Sequence, residues 1–99
     1  MMSYAEVLQH MQPIVREMNE RLSAKPGLRI SIVAQLLRPV TESEVGIVVM
    51  SAIDSSGGEL AQTRCHLLKQ VTIPQLRMFL DECEQKLTHQ LIGQEVRQL

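Results

Sequence analysis

The sequence predicts an α+β domain in the order α-β-β-β-α, with a three-stranded antiparallel sheet and both helices on one of its faces. Two observations carry that prediction. Segments with helical apolar periodicity stand at the two ends of the chain, and three strand-like runs joined by short polar turns lie between them. A third observation bears on function. The middle run, residues 45–53, is apolar at odd and even positions alike, so it asks for cover on both faces of the sheet.

Residues 3–24 read as the first helix. Ser3 with Glu6 three positions on is a capping box, in which hydroxyl and carboxylate each take an otherwise unpaired backbone amide. Val7, Leu8, Met11, Ile14, Val15, Met18 and Leu22 recur at steps of three and four and form one stripe. Pro13 removes an amide and crowds the preceding turn, which predicts a kink near Met11 or a later start. Lys25-Pro26-Gly27 ends the helix.

Residues 28–38 alternate, with Leu28, Ile30, Ile32, Ala34 and Leu36 on one face and Arg29, Ser31, Val33, Gln35 and Leu37 on the other. Residues 44–53 form the second strand, and Asp54-Ser55-Ser56-Gly57-Gly58 has the composition of a hairpin loop. Residues 59–68 form the third strand, with Ala61, Thr63, Cys65 and Leu67 inward. Thr72 and Gln75 make a second capping box, and Pro74 is tolerated in a first helical turn. Leu76, Phe79, Leu80, Cys83, Leu87 and Leu91 are the apolar stripe of the second helix. Gly93 either ends that helix or weakens it, and Val96 and Leu99 continue its spacing.

Short connections place the second strand in the middle of a meander. Opposing Leu36 with Val45 sets Ala34 by Ile47 and Ile32 by Val49, all inward. That register leaves Val33, Leu37, Val48, Met50 and Leu68 on the outer face, rimmed by Arg29, Gln35, Gln62, Arg64 and His66. An apolar strip with a polar rim is the anatomy of an interaction surface.

Composition bounds the function classes. The 99 residues suit one domain, residues 1–99. Hydrophobic content is 44%, charged content 21% and net charge −1, which describe a globular domain and argue against binding nucleic acid by bulk charge. Tyr4 and Phe79 are the only aromatic residues, too few for base stacking or aromatic cages. The N-terminus has no basic segment followed by an apolar run, and the longest apolar run falls far short of the ~20 residues of a membrane helix. A cytoplasmic protein with reduced thiols is the expectation.

No constellation of catalytic, cofactor or metal residues stands out. Cys65 and His66 are adjacent on a strand and point to opposite faces, while Cys83 and His89 do not share a helix face. No zinc-type spacing occurs, and Ser55-Ser56-Gly57-Gly58 joins two strands with no Lys following, unlike a phosphate loop. Asp81 and Glu84 fall near Arg77 and Lys86 and read as surface ion pairs.

The element order resembles that of double-stranded-RNA-binding domains. Their second helix starts Lys-rich and their first strand–strand loop carries Gly-Pro and His. Here the helix starts Thr72-Ile73-Pro74-Gln75-Leu76-Arg77 and the loop is Arg38-Pro39-Val40-Thr41-Glu42-Ser43-Glu44, so the resemblance stops at element order.

The reading is a non-enzymatic binding or adaptor domain acting through a protein–protein surface as a homodimer. Its contact residues are Val33, Val48, Met50, Leu68, Arg29 and Arg64 on the sheet and Leu91, Ile92 and Val96 on a helical overhang. The alternative is weak nucleic-acid association through the basic strip of Arg29, Arg64 and His66. No cofactor is expected.

Overall fold

The computed structural model of the chain describes the backbone of residues 1–98 and the side chains of residues 1–92. The order is α1 (Tyr4–Ser23), β1 (Ile30–Leu37), β2 (Glu44–Asp54), β3 (Glu59–Leu68) and α2 (Ile73–Gln98). The strands form one antiparallel sheet in the order β1-β2-β3, as the sequence predicts. The core joins Val7, Met11, Ile14 and Met18 of α1 and Leu76, Leu80, Cys83 and Leu87 of α2 to the inward side chains of the sheet. Both helices therefore cover the same sheet face.

Local chemistry sets the element ends. Glu6 N–H donates to Ser3 Oγ at 3.1 Å and Ser3 N–H donates to Glu6 Oε1 at 3.2 Å, closing the first capping box. Thr72 and Gln75 close the second with bonds of 3.0 and 3.3 Å. In the β2–β3 hairpin, Asp54 Oδ1 accepts from Ser56 Oγ at 2.7 Å, Gly58 N–H at 2.8 Å and Ser56 N–H at 2.9 Å. The Ser56 hydroxyl first, then the Gly58 amide, hold the Asp54 carboxyl below its usual range. Gly57 supplies the positive φ, 87°, that the turn needs. α1 runs through Pro13 without a break. Pro13 and Gln9, whose carbonyl loses its helical partner, are both exposed, so water can serve that carbonyl.

The register of β1 on β2 differs from the sequence expectation. Leu36 opposes Val48, Ala34 opposes Met50 and Ile32 opposes Ala52. The shift is an odd number of residues, so it inverts the faces of β2. Val48, Met50 and Ala52 are fully buried under the helices, while Ile47 and Val49 lie on the outer face. Val48 and Met50 are thus core residues and not contact residues. A strand apolar at both parities gives hydrophobic alternation nothing to choose between. The available signal was Ser51, which falls on the odd set and would be a buried hydroxyl if that set faced inward. It faces outward and donates to Glu59 Oε1 at 2.9 Å. An irregularity between Glu44 and Gly46 turns Val45 back into the core and leaves Glu44 outward. A Cβ at Gly46 would stand 2.8 Å from Leu36 Cδ1 and 3.1 Å from Leu37 O, so a larger residue there would displace the Leu36 side chain.

Candidate interaction surface

The outer face of the sheet is built in rows by the strand register. Leu37, Ile47 and His66 form one row, Gln35, Val49 and Arg64 the next, and Val33, Ser51 and Gln62 a third. No described helix belongs to this face. Ile47 and Val49 at its centre are nonetheless only 5% and 7% exposed, because side chains of the flanking strands close over them. Val33, Leu37 and Leu68 keep 40%, 39% and 56% of their surface exposed. The result is an apolar strip with a sealed floor and open shoulders.

The rim carries both signs of charge. His66 Nδ1 lies 3.2 Å from Glu44 Oε1 beside Leu68, and Glu59 accepts from Ser51 and from Gln62 at the other end. Arg64 sits beside Val49 in mid-face. Arg29 precedes β1 at the far end, six residues along from Gln35, or about 20 Å at ~3.3 Å per residue. The two arginines therefore do not form the basic strip expected of them.

α1 occupies the open edge of β1. Asn19 Nδ2 donates to Ile32 O at 2.9 Å, and Ile32 N–H donates to Asn19 Oδ1 at 2.7 Å. Tyr4 Oη donates to Leu36 O, and the Arg38 guanidinium stacks 4.0 Å from the centre of the Tyr4 ring. On β3, Gln90 Nε2 approaches Gln62 O at 3.4 Å. Edge pairing with another strand is obstructed at these points. Sequence reasoning missed Asn19, a polar residue at a half-buried helix position whose partner is backbone from a distant element.

The overhang residues divide. Leu91 is half-buried against the core, Ile92 is 52% exposed and the Val96 side chain lies outside the described residues. α2 continues through Gly93 to Gln98. Arg77 pairs with Glu17 at 3.1 Å and Arg21 with Glu84 at 3.1 Å, tying the exposed sides of α1 and α2. These bridges replace the within-helix pairs that spacing suggested, and exposed pairs of this kind contribute under about 1 kcal/mol each.

Among the described residues no group of three or more His, Cys, Asp and Glu could hold a metal ion, and no helix is long and apolar enough to cross a membrane. The largest cavities are shallow surface recesses of the helices. A partly open one of about 140 Å³ lies between the end of α1, the start of β1 and α2, lined by Arg21, Lys25, Leu87 and Leu91. Its one carboxylate, Glu84, is already paired with Arg21. The molecule is a small α+β domain with one covered and one uncovered sheet face. No known protein family, curated protein or solved structure compared with the chain matches it.

Proposed function

We propose that this chain is a non-enzymatic binding domain that self-associates, a second copy seating on the outer sheet face. The observation that carries the reading is the apolar strip of Val33, Leu37, Ile47, Val49 and Leu68 on a face that no described helix covers. A second copy suits it because the rim is mixed in sign. Glu44 and Glu59 stand at opposite ends with Arg64 between, so a twofold arrangement brings the arginine of each copy toward an acid of the other. The edge contacts of Asn19 and Tyr4 favour this face over strand-to-strand pairing.

Size sets the strength. With Ser31, Ile53 and Glu59 as a fourth row beyond the three above, rows at ~6.6 Å and three strands at ~4.8 Å make a face of roughly 400 Å². That is about half the ~800 Å² per partner of a standard interface, so the expected dimer is weak, micromolar or above. Nucleic-acid association draws less support, because Glu44 and Glu59 share the face with Arg64 and the Arg29 cation stands apart.

Sedimentation velocity across micromolar to millimolar concentrations tests the proposal. The parent is expected to dimerise reversibly, and Val33→Asp or Leu68→Asp to remain monomeric with an unchanged fold. A parent that stays monomeric throughout, or variants that dimerise as it does, would overturn the reading.

A further inference from the structure

Cys65 and Cys83 are far apart in sequence, on β3 and α2, yet they meet beneath the sheet. Cys65 lies on the inward row of Leu36 and Val48, packed against the core. Cys83 lies on the buried stripe of α2 between Leu80 and Leu87 and is 2% exposed. Cys65 packs against the same core cluster that holds Cys83, each thiol bears on the other's proton, and both are free. We propose that they are an oxidisable dithiol, a site where a hydroperoxide drives formation of a disulfide linking β3 to α2.

The environment divides the roles. Cys65 is half-buried and so within reach of a small oxidant, whereas Cys83 is sealed. The neighbouring Cys83 thiol, helped by the Lys86 cation, holds the Cys65 thiol down at about 7 against the opposing effect of burial. The neighbouring Cys65 sulfur, with burial, pushes Cys83 up, so it stays a thiol. Cys65 is then the nucleophile and Cys83 the resolving partner.

The steps balance. The Cys65 thiolate attacks one oxygen of hydrogen peroxide; the O–O bond breaks, leaving hydroxide and the sulfenic acid of Cys65. The Cys83 sulfur then attacks the Cys65 sulfur; the S–O bond breaks, and water leaves with the Cys83 proton. Two thiols have been oxidised by two electrons and the peroxide reduced. The new bond closes a loop over residues 65–83 and fixes α2 covalently to the sheet.

The test treats the intact chain with hydrogen peroxide and reads both thiols by alkylation and intact mass. The expected product is a monomer two hydrogens lighter, with neither cysteine alkylated until a reductant is added. In Cys83→Ala the reaction stops at Cys65, trapped as a dimedone adduct. In Cys65→Ser, Cys83 stays a thiol. If the parent instead collects dimedone or sulfinic acid at Cys65 while Cys83 remains a free thiol, the pair is no dithiol site. Interchain-linked dimers, or two thiols untouched by peroxide, would equally overturn the proposal.

Discussion

The two faces of β2 carry similar side chains and live in different surroundings. On the inner face Val48, Met50 and Ala52 are fully enclosed by two helices. On the outer face Ile47 and Val49 are almost as hidden, yet only neighbouring strands hide them. Low exposure thus arises in two ways: by layered packing with contacts on every side, or by lateral shading within one sheet. Layered packing brings dispersion contact above and below a side chain. A shaded residue has dense neighbours on its flanks and thin cover above. A partner layer would add contact there that the folded chain alone lacks.

The sharpest way to break that comparison is a truncation on each face. Met50→Ala is expected to cost about 2–5 kcal/mol, since it leaves a cavity between layers that cannot collapse. Val49→Ala is expected to cost less, near the ~1.6 kcal/mol of two buried carbon groups, because the site opens to solvent. Urea unfolding of both variants gives the contrast. Equal losses would mean that the outer face is packed as tightly as the inner one.

A smaller effect belongs to the sheet edge. Asn19→Ala removes both partners of the Ile32 peptide groups and is expected to cost about 1–3 kcal/mol. Hydrogen exchange at the Ile32 amide should rise with it, by more than the loss of global stability explains. An unchanged Ile32 amide would show that the contact does not protect the edge.

The smallest change is expected at the shoulders of the outer strip. Val33→Asp should move the stability of the monomer by no more than about 0.5 kcal/mol, as at ordinary surface positions. A thermal melt in dilute solution, where no dimer contributes, measures it. A large loss would place Val33 in the fold's own core and not on an interaction surface.

The sequence carried the element order, both capping boxes, the hairpin and the faces of β1 and β3, because periodicity and turn chemistry act locally. It did not carry the register of β2. Residues 45–50 are apolar or glycine throughout, and only Ser51 and the small Ala52 distinguish one parity from the other. The sequence sign of the irregularity at Val45 was Gly46, since a glycine inside a strand often marks a bulge; the alternation alone does not register it, so Val48 and Met50 exchanged places with Ile47 and Val49 in the expectation. The meeting of Cys65 and Cys83 was half legible. Both residues fell on core-facing positions, but which turn of α2 crosses which row of β3 depends on three-dimensional packing that spacing does not encode.

The contact of Asn19 with Ile32 has a consequence for how the sheet ends. To Ile32 the side-chain amide presents an N–H and a C=O, the same kinds of group that an added strand would present. At Ile32, α1 therefore behaves as a chain stopper does on a growing polymer: it fills the addition site with a fragment that cannot itself be extended. The stopper is tethered to the end it blocks, and its local concentration exceeds what any free strand reaches in solution. Growth at this position is terminated by competition, so that edge stays closed for as long as α1 stays docked.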